Sequence, residues 1–296
     1  MARMPRPRFT HPLFRESPRR YALLHCVSRT VRRAFLCGVD NYSGQSIDQF
    51  HIRFTSLYLH WRYSLVNRVL IMSCYIELQN ISQSFQATQS KVTLFNNLNL
   101  RVEQGKSYAI TGPSGAGKSS LLMLMSGLEQ PTSGQGIYSK NGQSHSLAYL
   151  KTDIGFIFQQ FHLLPELTAL NNVALPLKLR GDKRAMNKAK IWLEKVGLQH
   201  RENHKPSELS GGEQQRVAIA RALVFEPNFI FADEPTGNLD KDSAASIADI
   251  LFDCCRENNA GLVIVTHSDA LANRAQQVFS LADGQLNNPL ANVEVA

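Results

Sequence analysis

The segment Gly112-Pro-Ser-Gly-Ala-Gly-Lys118-Ser119 constrains this chain more than any other. Its glycines at 112, 115 and 117 free the backbone to turn several N–H groups toward one point, where a helix start adds the positive end of its dipole. The run Ser107-Tyr-Ala-Ile-Thr111 before it reads as a strand. Lys118–Ser126 after it reads as a helix with Leu121, Leu122 and Met125 turned inward and Gly127 placed to end it. Strand, glycine loop and helix in that order make a phosphate cradle at the edge of a sheet. Gly112, Pro113, Ser114, Gly115, Ala116, Gly117 and Ser120 are its candidate walls. Lys118 would set a cation against the β- and γ-phosphates, and the Ser119 hydroxyl would join the coordination sphere of Mg2+. A glycine-rich turn that binds nothing is the competing reading.

The rest of the chain supplies a sheet for that loop. Phe229–Ala232 and Leu262–Val265 are short, wholly apolar runs, the signature of buried parallel strands. Further strands are expected at Tyr75–Ile81 and Leu94–Val102, with a polar loop Gln86–Lys91 between them. A small hairpin is expected within Gly134–Gly142, a strand at Ile154–Phe158, and a closing hairpin from Gln277 to Leu286 around Asp283-Gly284. Between Gln159 and Leu209 the pattern is largely helical, with helical apolar spacing over Ala185–Val196. No internal repeat is present. Strands alternating with helices imply a parallel α/β core. None of the 296 residues falls in an apolar run of about 18 or more, so no span of a bilayer is expected from this sequence. The five cysteines lack Cys-x-x-Cys spacing, and Cys254-Cys255 reads as a pair of buried, reduced thiols.

The formal charge of +8 misleads unless it is divided by position. Residues 1–71 hold twelve arginines, no lysine and three acids, a net of +9, and the remaining 225 residues come to −1. A nucleic-acid function read from the high isoelectric point would rest on the first segment alone, so no nucleic-acid partner is expected. That segment has no clean helix or strand period. Three readings stay open: translation beginning at Met72, a basic arm that touches membrane or nucleic acid, or a targeting peptide. The first predicts a native N-terminus at or just after Met72 by mass spectrometry. The basic cluster Lys178–Lys190 is read as a solvated face, with a docking patch as the alternative.

A second segment, Leu209-Ser210-Gly211-Gly212-Glu213-Gln-Gln-Arg216, opens a helix whose apolar positions continue through Val217, Ile219 and Leu223. Ser210 and the two glycines give it exposed N–H groups, a second anion-binding helix start. Asp233 and Glu234 follow a buried strand, which delivers both carboxylates to the edge where ligands of open α/β sheets collect. Alone, such a pair would be a solvated turn. Its position before Pro235-Thr-Gly-Asn-Leu-Asp240 argues for a site.

From Tyr75 to about Leu286 these motifs together resemble the ATP-binding-cassette (ABC) ATPases. The resemblance implies a P-loop NTPase (RecA-like) core over residues 72–296, with an antiparallel β subdomain and an α-helical subdomain at about 160–225. It implies ATP and Mg2+ as ligands, with Lys118 on the phosphates. Asp233 would hold the metal through water, Glu234 would polarise the attacking water, and Gln159 would touch both metal and water. His267 would contact the γ-phosphate. Phe85 stands at the spacing of the aromatic that stacks on adenine, a core phenylalanine being the alternative. Leu209–Glu213 would serve ATP bound by another copy, two chains meeting head to tail around two ATPs, with Asp240 reaching across that interface. Ser268, where relatives commonly carry an acid, departs from the pattern.

Gln160–Val173, Leu175–Gly181 and Ala232–Asp240 are further similar to the bacterial subset that includes lipoprotein-releasing ATPases (LolD type), macrolide exporters (MacB) and the cell-division ATPase that partners FtsX. That subset implies an ATPase at the cytoplasmic face of the inner membrane, driving separate permease subunits. The permease coupling helix would dock near Gln159–Leu170. An amino-acid importer ATPase and a soluble ABC ATPase remain alternatives; a small-molecule P-loop kinase would leave Leu209–Arg216 unexplained.

Overall fold

A computed structural model of the chain describes residues 74–86 and 91–287. The readings made for residues 1–71, and for a start at Met72, lie outside the described residues. Two sheets share the work. Four antiparallel strands run in the order β2-β1-β4-β5: β1 (Tyr75–Gln86), β2 (Lys91–Glu103), β4 (Ser133–Lys140) and β5 (Gln143–Ser146). Six strands form the main sheet, in the order β10-β9-β3-β8-β7-β6. They are β3 (Ser107–Thr111), β6 (Ile154–Ile157), β7 (Phe229–Asp233), β8 (Gly261–Val265), β9 (Gln277–Ala282) and β10 (Gln285–Asn287). All of its pairings are parallel except β10 with β9.

The apolar runs end up where a doubly covered sheet needs them. On β7, Phe229 and Phe231 enter one core cluster and Ile230 and Ala232 the other; on β8, Val263 and Val265 part in the same way from Leu262 and Ile264. Alternate side chains leave a strand on opposite faces, so a strand buried on both must be apolar throughout. One cluster lies toward the β1–β2 sheet and α1 (Lys118–Met125). The other gathers α2 (Ala169–Leu179), α3 (Ala185–Lys195), α4 (Gly211–Leu223) and α5 (Lys241–Glu257). A single turn, α6 (Asp269–Ala272), follows β8. Gly127 ends α1 with φ 71°, and a Cβ there would stand 2.3 Å from the Leu147 carbonyl oxygen. Only glycine fits that turn.

Several expected boundaries move. The antiparallel strands reach Gln86 and begin again at Lys91, so the expected loop Gln86–Lys91 gives up both ends to the ladder. The hairpin does not lie within Gly134–Gly142. Its turn is Asn141-Gly142, both with positive φ (54° and 78°), and its second strand runs on to Ser146. Asn-Gly is the pair that a two-residue hairpin turn selects. β6 stops at Ile157, one residue short of the expected strand.

Among the described residues, Cys74, Cys254 and Cys255 are buried free thiols; burial pushes Cys254 up to about 11 and Cys255 further the same way. No described helix is long and apolar enough to cross a membrane. Within Lys178–Lys190, Lys178 donates to Asn171 and Lys188 pairs with Asp182 at 2.8 Å, while Lys190 reaches Glu202 at 3.4 Å. These are local surface contacts of modest energy.

Candidate active site

Register brings the working residues to one edge. Asp233 on β7 lies opposite Val265 on β8, and Ile110 on β3 lies opposite the same Val265. The segments that leave these strands therefore begin side by side: Gly112 after β3, Glu234 after β7, and Thr266-His267 after β8. Gln159 emerges two residues beyond β6. Together they enclose a cavity of about 670 Å³ lined by Ser114, Gly115, Gly117, Lys118, Ser119, Ser120, Gln159, Asp233, Glu234 and His267, with Leu94, Gly237 and Val265 completing it.

The glycine loop is built for close approach. Gly112 has φ 143°, and a Cβ there would fall 2.1 Å from the Leu281 carbonyl oxygen. Gly117 caps α1 with φ 91°. Of the candidate loop residues, Gly112, Pro113 and Ala116 do not line the cavity. The first two turn carbonyls toward Lys118, and the Ala116 N–H closes the turn onto Pro113 at 3.3 Å. Lys118 is 6% exposed, and its Nζ reaches Gly112 O at 3.0 Å, Pro113 O at 2.9 Å and His267 Nε2 at 3.3 Å. Burial lowers its pKa, and the nearby Glu234 and Asp233 carboxylates pull the other way.

Glu234 sits in left-handed backbone (φ 45°), tied by its N–H to the Val265 carbonyl at 2.9 Å. Its Oε2 accepts from Thr266 Oγ1 at 3.2 Å. Its Oε1 lies 3.4 Å from His267 Nε2, is buried, and has no hydrogen-bond partner. An ammonium only donates, so the His267 Nε2 that faces Lys118 acts as an acceptor and has no proton to give Glu234. Gln159 donates from Nε2 to Asn238 Oδ1 at 3.2 Å. Ser268 caps α6 by accepting from the Leu271 N–H at 3.3 Å, a local structural task.

Phe85 is not brought to the cavity, and it is not in the core. It stands 46% exposed on β1, opposite Val92, so the core alternative fails, and no contact of this chain carries the adenine reading. The helix tip Leu209–Glu213 also stays outside the cavity. Ser210 caps α4: its Oγ accepts from the Glu213 N–H at 3.3 Å, while Glu213 Oε2 accepts from the Ser210 N–H at 2.8 Å. That N–H and, to a lesser degree, Arg201 (3.0 Å from Glu213 Oε1) hold the Glu213 carboxyl below the usual range. Leu209 is buried, Ser210 exposed, and Gly211 and Gly212 half-buried. Asp240 caps α5, accepting from the Ser243 N–H at 3.0 Å, which lowers its pKa.

Besides the Thr266 contact with Glu234, two arrangements lie outside what the sequence signals. Arg221, in the last turn of α4, donates to His162 O at 2.6 Å and Phe161 O at 2.8 Å, both residues having positive φ (47° and 59°). Asn238 binds Gln159 from both sides. Neither residue type signals such a role. Position in the fold does.

The ABC transporter family model matches residues 95–237. Among curated relatives, the lipoprotein-releasing system ATP-binding protein LolD of Saccharophagus degradans is 44% identical over 220 residues, covering 72% of this chain and 96% of the relative. The LolD of Geobacter metallireducens is 43% identical over 222 residues, covering 73% and 99%. Among solved structures, the ATP-binding cassette MJ0796, a dimer in a post-hydrolysis state bound to ADP and Pi, superposes with a TM-score of 0.63 at 36% identity. The match covers 72% of this chain and 96% of that one. A second dimeric structure of the same bacterial ABC transporter cassette gives the same values.

Proposed function

Because this chain belongs to the ABC transporter family, we propose that it is an ATPase whose two copies clamp ATP between them and drive a separate membrane permease of the lipoprotein-releasing type. One observation carries the reading. Lys118, Gln159, Asp233, Glu234 and His267 line a single cavity, while the Ser210 helix tip of the same chain lies outside it with its cap exposed. A cradle that lacks the tip, and a tip that lacks a cradle, complete each other when two copies meet head to tail.

The glycine-loop amides and the α1 dipole receive the phosphates. The Lys118 ammonium leaves the loop carbonyls for the β- and γ-phosphates, trading neutral acceptors for anionic ones. Ser119, Gln159 and Asp233 offer a hydroxyl, an amide oxygen and a carboxylate on one wall, a hard oxygen set that suits Mg2+. Bound there, the ion would offset charge on the phosphoryl oxygens. Glu234 Oε1, buried and without a partner, accepts a proton from the attacking water. His267 stands over the γ-phosphate. The partner's helix tip adds N–H groups and positive potential as charge builds on the transferred group. Asp240 lies at the same interface. Phe85, exposed, stacks on the adenine when nucleotide arrives.

The relatives named LolD are ATP-binding subunits of a lipoprotein-releasing system, and the same work is assigned to this chain. It lies peripherally at the cytoplasmic face of the inner membrane, where the permease coupling helix docks near Gln159–Leu170. Mixing two defective variants tests the shared site. Lys118→Ala removes the cradle, and Ser210→Arg blocks the tip. Each alone should hydrolyse no ATP, and an equimolar mixture should regain part of the wild-type rate, because the mixed dimer keeps one whole site. A mixture as inactive as its components would defeat the two-chain reading.

A further inference from the structure

We propose that Asn238 is a positioning residue that fixes which end of the Gln159 amide faces the nucleotide cavity. The inference rests on the reading of Gln159 as a metal- and water-contacting group. A carboxamide has two opposite ends, an acceptor oxygen and a donor NH2, and only the oxygen can meet a cation. Rotating the amide by half a turn would point two N–H groups at the ion. Something must choose.

The choice follows from one backbone oxygen. Asn238 Nδ2 donates to the main-chain oxygen of Gln159 at 2.9 Å. A carbonyl oxygen accepts only, so the NH2 end of Asn238 must face it. The other end of Asn238 is therefore Oδ1, which also accepts only. The part of Gln159 that meets Oδ1, at 3.2 Å, must then be Nε2. With Nε2 committed, Oε1 is the end left to accept a proton or to bind a metal. The orientation is relayed from a fixed peptide group through one side chain to another, although residues 159 and 238 lie 79 apart in sequence.

The surroundings hold Asn238 in place for this task. It follows Gly237, whose N–H bonds to the Glu234 carbonyl at 3.0 Å, and a Cβ on Gly237 would stand 3.0 Å from Gln159 Nε2. The next residue, Leu239, brings Cδ2 within 3.5 Å of where a Cβ on Gly211 would lie. One short strap thus runs from the catalytic carboxylate, past the glutamine amide, to the helix tip. Asn238 itself is exposed, so its loss removes orientation without opening a cavity in the core.

The test uses the full chain carrying Glu234→Gln, which stops turnover, with ATP present and Mn2+ as the probe, bound ion being read by electron paramagnetic resonance. Gln159→Ala should weaken Mn2+ binding. Asn238→Ala should weaken it about ten-fold, the scale expected when a partner that orients a ligand is removed. In the Gln159→Ala background, Asn238→Ala should do nothing more, because its effect passes through that amide. With Glu234 restored, Asn238→Ala should lower kcat while leaving KM for ATP near wild type. Full Mn2+ affinity in Asn238→Ala, or losses that multiply in the double variant, would overturn the role of Asn238 while leaving Gln159 as a ligand. An unchanged affinity in Gln159→Ala would overturn both.

Discussion

The Nζ of Lys118 and the Nε2 of His267 stand 3.3 Å apart, and the two remaining Nζ contacts are the loop carbonyls of Gly112 and Pro113. The three protons of the ammonium thus have three acceptors before any phosphate arrives. Burial nevertheless depresses its pKa, so the charge is held at a cost in the folded chain. The sign follows: a base with a lowered folded pKa binds protons more weakly when folded, so it opposes folding below that value. The penalty is relieved as pH rises between the lowered value and the ordinary one of about 10.4. Lys118→Met should therefore lose ATP binding, measured with a fluorescent ATP analogue, yet melt no lower than wild type at pH 7. A variant that still binds ATP, or that melts well below wild type, would contradict this account.

Glu234 combines a left-handed backbone, one carboxylate oxygen held by Thr266 and the other unpartnered. Glu234→Gln keeps the size and the Thr266 contact but removes the base. Turnover should fall by about 10²–10⁴-fold, the span of general-base effects, with ATP still bound. Bound ATP that is not cleaved should hold two copies together. Size-exclusion chromatography with light scattering should show a dimer in ATP and a monomer in ADP. A variant that stays monomeric in ATP and turns over at the wild-type rate would remove Glu234 from its role.

Much of this was legible from the residues alone, and the gaps have physical causes. The strand, loop and helix at 107–126 announce themselves through glycine spacing, and β7 and β8 through unbroken apolar runs, because strands buried on both faces leave no freedom in composition. The Asn141-Gly142 pair carries a two-residue turn signal, whereas the expected hairpin ended at Gly142 instead of turning there. Phe85 had the right spacing for a ring over adenine. Spacing along a strand does not by itself separate a ring over adenine from a core phenylalanine, and the exposure of Phe85 on β1 removes the second reading. Thr266, Asn238 and Arg221 were missed because their chemistry is generic. Their roles exist only after the fold brings them to Glu234, Gln159 and the carbonyls of Phe161 and His162.

Arg221 clamps two consecutive residues in left-handed backbone, a conformation that phenylalanine and histidine enter at a cost of roughly 1–2 kcal/mol each. Its fork supplies two charge-assisted bonds from one rigid plane. Arg221→Ala should destabilise the protein by about 1.5–3 kcal/mol, the range for hydrogen bonds that involve a charged group, read from urea midpoints. Arg221→Lys should recover only part of that loss, since an ammonium lacks the planar fork. Full recovery by lysine would mean that charge rather than geometry does the holding.

The cap of α4 should show its chemistry in pH. The Glu213 carboxyl is held below the usual range, first by the Ser210 N–H and less by Arg201, with burial opposing. An acid with a depressed folded pKa stabilises the fold fully above its unfolded value of about 4.3, and that contribution is lost as pH falls through the folded value. Glu213→Gln should thus cost on the order of 1 kcal/mol at pH 7, and the cost should be smaller at pH 3, where more of the wild-type carboxyl is protonated than at pH 7. Ser210→Ala removes the neutral half of the box, the hydroxyl that accepts from the Glu213 N–H. It should cost about 1 kcal/mol, with a weaker pH dependence than Glu213→Gln. Urea midpoints for both variants at the two pH values separate the cases. A Glu213→Gln penalty that is the same at pH 3 as at pH 7 would mean that the carboxylate charge contributes nothing to the helix start, and that the tip is shaped by the serine cap alone.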